Sequence, residues 1–93
     1  MGYLVYILRC GDGTLYTGCT NDLDRRIRAH QAGRGAKYTR SRLPVELVYR
    51  EAAADRSAAL RREAAIKRLD RGAKLVLIAG GPPGPPGGAR AEK

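Results

Sequence analysis

No stretch of this chain stays apolar for the ~20 residues that a membrane-spanning helix needs, which argues against a helical membrane protein. No secretory signal is expected at its start either, because GYLVYILRC is short and already patterned like a strand. Cysteine is scarce: Cys10 and Cys19 alone cannot make a disulfide framework, so the expectation is a reduced, cytoplasmic protein. Acidic residues are also few, 9 against 18 Lys and Arg, leaving a net charge of +9. Such an excess favours a polyanionic partner, since basic groups near phosphates displace condensed counterions. Lysine itself is sparse, at positions 37, 67, 74 and 93 only. The charge is therefore mostly arginine, whose planar fork matches phosphate oxygens. The plain alternative is a solvated basic surface.

The 93 residues suit one small domain with a compact core. Residues 80–93, GGPPGPPGGARAEK, offer almost nothing to bury and are expected to be a disordered tail. Their glycines, at 80, 81, 84, 87 and 88, keep no three-residue period, which excludes collagen. The folded unit is expected over residues 1–79, with no internal repeat.

Tyr3–Arg9 and Thr14–Cys19 read as strands around the turn Gly11-Asp12-Gly13. A two-residue turn would put Tyr6 and Tyr16 on opposite faces. A three-residue loop, with Gly13 left-handed, pairs Leu8 with Tyr16 and puts both tyrosines on one face; this register is expected. In either register Cys10 and Cys19 are too far apart to bond. Asn21 is the expected cap of a helix over residues 22–32, with Leu23, Ile27 and His30 along its buried stripe. Arg26 and His30 are neighbours on one flank, whereas Arg25 and Arg28 turn outward. Residues 33–43, GRGAKYTRSRL, form a basic loop closed by Pro44, and Val45–Arg50 reads as a third strand. A second helix is expected over Asp55–Asp70, with Glu63 in an inward stripe and Arg61, Arg62 and Arg68 outward. Ala73–Ala79 reads as a short helix.

These residues resemble the GIY-YIG nuclease superfamily, and in particular its short single-domain branch. Leu4-Val5-Tyr6 stands where GIY stands, and Tyr16-Thr17-Gly18 where YIG stands. The run NDLDRRIRAH, residues 21–30, is similar to the family's arginine-bearing helix, and REAAIK, residues 62–67, to its metal-binding glutamate helix. The resemblance spans residues 2 to 78. It differs at Leu4, at Thr17 and in having no asparagine after Glu63, since Asn21 is the chain's single one.

The resemblance implies an α+β fold, a small three-stranded antiparallel sheet flanked by helices. It also implies metal-dependent hydrolysis of phosphodiesters in nucleic acid, with DNA favoured over RNA and Mg²⁺ (or Mn²⁺) weakly held without substrate. Tyr6, Tyr16, Arg26, His30 and Glu63 are the expected catalytic residues. Glu63 would hold the metal, a hard ion that keeps several waters. Arg26 would stabilise charge on the phosphate. Tyr16 or His30 would act as the base, since a free phenol has a pKa of about 10 and needs help that imidazole does not. Arg25, Lys37, Tyr38, Arg40 and Lys67 are the expected nucleic-acid contacts, an aromatic among basic groups being suited to a strand. The five catalytic side chains are expected to line one open cleft with the basic loop at its rim. A protein partner is plausible without being indicated. The alternative is a nucleic-acid-binding module with little or no catalysis.

Overall fold

The computed structural model describes residues 2–80. The expected tail lies outside the described residues from position 81, and Gly80 belongs to the last helix. Strand β1 (Tyr3–Arg9) is central, with β2 (Leu15–Thr20) on one side and β3 (Glu46–Ala53) on the other, both antiparallel to it. Among the described residues four helices complete the α+β fold: α1 (Leu23–Gln31), α2 (Lys37–Arg40), α3 (Arg56–Lys67) and α4 (Arg71–Gly80). None of them is long and apolar enough to cross a membrane.

The order of burial explains the sequence of β1. Val5, Tyr6, Ile7 and Leu8 are all buried, because helices cover both faces of the central strand. On one face Val5 and Ile7 meet Tyr49, Ala59 and Ile66, with Leu77 and Ile78 of α4 against them. On the other, Tyr6, Leu8 and Cys10 meet Leu23 and Val45, with Tyr16 and Ile27 alongside. Each large side chain so buried contributes roughly 1.5–3 kcal/mol.

The hairpin has the expected three-residue loop. The Gly13 N–H donates to the Cys10 carbonyl at 2.9 Å, the Cys10 N–H donates to the Thr14 carbonyl at 2.8 Å, and Gly13 has φ +85°. Leu8 pairs with Tyr16 and Tyr6 with Gly18, so the two tyrosines share a face. Cys10 and Cys19 are both free.

Four local readings are corrected. Asp22, not Asn21, caps α1: its carboxylate accepts the Arg25 N–H at 3.2 Å. The cause lies one residue earlier, where the Thr20 hydroxyl accepts the Asp22 N–H at 3.0 Å and turns the chain before the helix starts. The basic loop contains a helical turn, α2, which buries Thr39 completely. The second long helix stops at Lys67, and Asp70 starts α4 by accepting the Ala73 N–H at 2.8 Å. Arg62 does not turn outward. Its guanidinium grips Glu51 of β3 with Nε to Oε2 at 2.7 Å and Nη2 to Oε1 at 3.2 Å. The buried Tyr49 hydroxyl donates to the same carboxylate. Burial and that carboxylate push the Tyr49 phenol up to about 12, which keeps it a donor at neutral pH.

This lock sets the rotation of α3 against the sheet, and so the position of Glu63 next along the helix. Glu51→Ala leaves a buried phenol and a guanidinium without their acceptor. It is expected to lower unfolding free energy by about 1–3 kcal/mol in urea titrations.

Candidate active site

Tyr6 lies at the middle of β1, 1% exposed, with its hydroxyl over Gly18 of the edge strand β2. A Cβ at position 18 would stand 2.6 Å from Tyr6 Oη and 2.7 Å from Cζ, so only glycine lets the ring lie there. Tyr16, two positions along β2, brings its ring to 6.5 Å from that of Tyr6.

His30 reaches the same place from the last turn of α1 and is fully buried. Its Nε2 is 3.0 Å from the Tyr6 hydroxyl, and its Nδ1 is 2.8 Å from the Thr39 hydroxyl. The Thr39 proton goes to the Ala36 carbonyl at 2.9 Å. A hydroxyl has one proton to give, so Thr39 must accept from Nδ1–H. That assignment leaves Nε2 bare, and Tyr6 donates to it. Burial, with the Arg26 charge second, pushes the imidazole pKa below its ordinary value, which agrees with the neutral form. Gly35 closes the pocket behind the ring; any Cβ there would overlap the imidazole.

Arg26 stands on the same flank of α1. Its contact with the Tyr6 hydroxyl raises the guanidinium pKa, against the opposing effect of burial. For Tyr6 itself burial dominates and raises the pKa; Arg26 opposes it, while the charges of Tyr16 and Glu63 add to it. Of the expected residues, His30 bonds this hydroxyl and Tyr16 and Arg26 stand beside it, whereas Glu63 bears on it by charge alone.

Glu63 approaches from the opposite layer. Its side chain is 16% exposed, its Oε2 is 3.0 Å from Lys67 Nζ, and its Oε1 accepts from the Cys19 thiol at 3.3 Å. Burial, with Glu63 second, pushes that thiol up to about 11, so it remains a donor. Cys19 adjoins Gly18 but faces the other side of the sheet, so the carboxylate lies across β2 from the Tyr6 hydroxyl. The set therefore straddles the edge strand.

Among the described residues the five side chains do not together line one open cleft, because Tyr6 and His30 are 1% and 0% exposed. Arg26 lines one depression with Arg25, Asp22 and Thr20. Tyr16 lines another with Tyr38, Thr17, Lys67 and Lys74. Tyr6 and His30 are buried beneath. From the basic loop, Tyr38 stacks on Tyr16 at 6.0 Å and 26°, and the Arg42 guanidinium lies 3.9 Å over its ring. Lys37 and Arg40 are exposed on α2, and Arg25 on α1. Sequence reasoning missed Thr39, Gly35, Arg42, Thr17 and Lys74. The four-residue spacing of Tyr38 and Arg42 was a usable signal; the others needed the tertiary fold.

Among the described residues no three His, Cys, Asp or Glu side chains gather as a metal cage. One carboxylate fits only a hard ion that retains most of its water and takes further oxygen from a phosphate. Lys67 would have to release one Glu63 oxygen for such an ion.

The chain matches the model of the GIY-YIG catalytic domain over residues 2–75. A UPF0213 protein of Streptococcus sanguinis is 54% identical over 74 residues, covering 80% of this chain and 85% of that one. A UPF0213 protein of Natronomonas pharaonis is 53% identical over 77 residues, covering 83% and 91%. The solution NMR structure of a UPF0213 protein from Bacillus halodurans has 48% identity and a TM-score of 0.55, covering 85% of this chain and 84% of that one. A second solution NMR structure, from E. faecalis, has 38% identity and a TM-score of 0.60, covering 86% and 85%. With the tyrosine pair, the arginine–histidine helix and the inward glutamate all in place, the chain belongs to the GIY-YIG domain family of the nuclease superfamily, on its UPF0213 branch.

Proposed function

We propose that the protein is a metal-dependent endonuclease that hydrolyses phosphodiester bonds in nucleic acid, DNA ahead of RNA, in a reducing cytoplasm. One observation carries the reading: His30 bonds the Tyr6 hydroxyl at 3.0 Å with Tyr16 and Arg26 beside it, and Glu63 faces the same edge strand from the other layer through Cys19.

The roles follow from exposure and bonding. Arg26, at the edge of a depression, meets a non-bridging phosphate oxygen and offsets the charge that builds there. Tyr16 is the accessible phenol and orients the attacking water. Tyr6 donates its proton to His30 Nε2, so its oxygen keeps its lone pairs for Arg26. His30 has both nitrogens engaged and no exposure; its part is to accept the Tyr6 hydrogen bond and fix the direction of that hydroxyl rather than to meet water directly. Thr39 holds the ring in the tautomer that permits this. Glu63 is the residue that would hold Mg²⁺ or Mn²⁺, which when bound would polarise the phosphate and stabilise the leaving oxygen. Arg25, Lys37, Tyr38, Arg40 and Lys67 supply contacts along the strand.

The second reading, a binding module without useful catalysis, is favoured by the engagement of both Glu63 oxygens, by Lys67 and by Cys19. A cleavage panel of single-stranded, duplex, branched and RNA substrates separates the two. With Mg²⁺ or Mn²⁺ the wild type is expected to nick at least one substrate. Arg26→Ala should slow it by about 10²–10³, and Glu63→Ala should reduce it to background with the fold retained. Salt-sensitive binding with no cleavage in either metal would establish the module instead.

The buried imidazole also gives a stability prediction. His30 is the chain's single histidine, and its folded pKa lies below its ordinary value. Between the two values the unfolded chain binds more protons, so stability rises with pH. The contribution is full above the ordinary 6.5 and is lost as pH falls from there toward the folded value. Denaturant midpoints should decline from pH 7.5 to 5.5 in the wild type. In His30→Asn the slope over that window should flatten, whatever the variant's starting stability. Asp12, whose Thr14 contacts hold its carboxyl below 3.8, acts only at lower pH.

A further inference from the structure

The register fixes which way the backbone of β2 points. Cys10 and Thr14 form a closely bonded pair, and the pattern alternates, so Tyr16 and Gly18 spend their N–H and C=O groups on β1. Leu15, Thr17 and Cys19 then aim theirs at the free side, where no further strand pairs among the described residues. Thr17 carries a second anomaly. It is 3% exposed, and its Oγ1 is the one buried side-chain oxygen or nitrogen among the described residues without a hydrogen-bond partner. Leaving a hydroxyl so buried is costly unless something occupies it at work.

Thr17 lines the depression of about 270 Å³ that also holds Tyr16, Tyr38, Lys67 and Lys74. Lys67 comes from the end of α3, and Lys74 from the first turn of α4. Lys67 leans on Glu63, whereas Lys74 has no carboxylate within ion-pair distance among the described residues. Two ammonium groups and an outward backbone N–H suit a phosphate, and the Thr17 hydroxyl, closed off from solvent as it stands, joins them by a turn about χ1. The stacked tyrosines beside them suit the base attached to it.

We propose that the outer edge of β2 carries a second phosphate subsite, built from Thr17, Lys67 and Lys74, that holds a backbone phosphate of the strand next to the one being cut. The proposal rests on the nucleic-acid reading above and extends it to Thr17 and Lys74. The strand runs along the β2 edge, with the scissile phosphate at Arg26 and its neighbour beyond Tyr16. The competing explanation of edge lysines is protection against strand pairing. It gives Thr17 no part and predicts no effect on binding.

The test measures binding of the full chain, in EDTA, to a labelled single strand of about 12 nucleotides by fluorescence anisotropy. Salt is varied from about 50 to 200 mM. Lys74→Met is expected to weaken binding and to reduce the slope of log Kd against log salt by about 0.7, the value for one phosphate contact on a single strand. Lys74→Gln should repeat it. Thr17→Val should bind several-fold more weakly with the slope kept, and should melt no lower than wild type, because its methyl replaces an unpartnered hydroxyl. Thr17→Ser should recover binding. A wild-type slope in both Lys74 variants, or wild-type affinity in Thr17→Val, overturns the proposal, as does an absence of salt-dependent binding. Phosphate-induced thermal stabilisation that Lys74→Met removes, with the oligonucleotide slope unchanged, would assign a free-anion site and overturn the strand assignment. Because no cleavage is needed, slope loss in a protein that cuts nothing keeps the subsite and ends the nuclease reading. Glu63-dependent cutting with an unchanged slope does the reverse.

Discussion

The hydrogen bond from Tyr6 to His30 is the constraint around which the site is organised. It joins the central strand to α1, and through Nδ1 and Thr39 it reaches α2. Every member is buried, so none can exchange its partner for water, and a lost partner costs the full desolvation of the group left behind. Two glycines make the bond possible. Position 18 must be bare for the phenol to lie over β2, and position 35 must be bare for the imidazole to lie against the loop. These requirements are steric, which is why residues without side chains belong to the site as firmly as those with them.

The acidic half is positioned by a different device. Glu63 has no direct bond to the tyrosine pair; its place depends on how α3 sits on the sheet. Ala59 and Ile66 fix the depth of that helix, and the Arg62–Glu51–Tyr49 lock fixes its rotation. Two layers with separate cores thus meet over one edge strand. A change in either core shifts one half of the site relative to the other, which makes β2 the sensitive element of the fold.

Much of this was legible in the residue order. The left-handed glycine in the turn, with the parity of Tyr6 and Tyr16, settled the hairpin register. The spacing of Leu23, Ile27 and His30 gave the buried stripe of α1, and a carboxylate between Ala59 and Ile66 marked the inward face of α3. What stayed hidden was tertiary. Thr39 sits in a polar run with no apolar period, and only His30, nine residues away, draws it inward. Arg62 reads as an outward charge until Glu51 of β3 is seen beneath it. The single cleft failed because sequence spacing gives the face a residue occupies and not its depth: Tyr6 and His30 lie on the right face, wholly covered.

The hairpin tip is anchored from two directions. Arg42 bonds Asp12 at 3.1 Å while covering Tyr38, and Arg71 of α4 bonds the Gly13 carbonyl at 2.7 Å. A two-stranded tip normally frays, yet this one is tethered to both neighbouring layers. The aromatic stack against β2 is therefore set before any partner arrives, and the chain surrenders little further disorder on engagement. For so small a protein that stiffness offsets its shortage of surface: what it lacks in contact area it recovers by arriving already shaped.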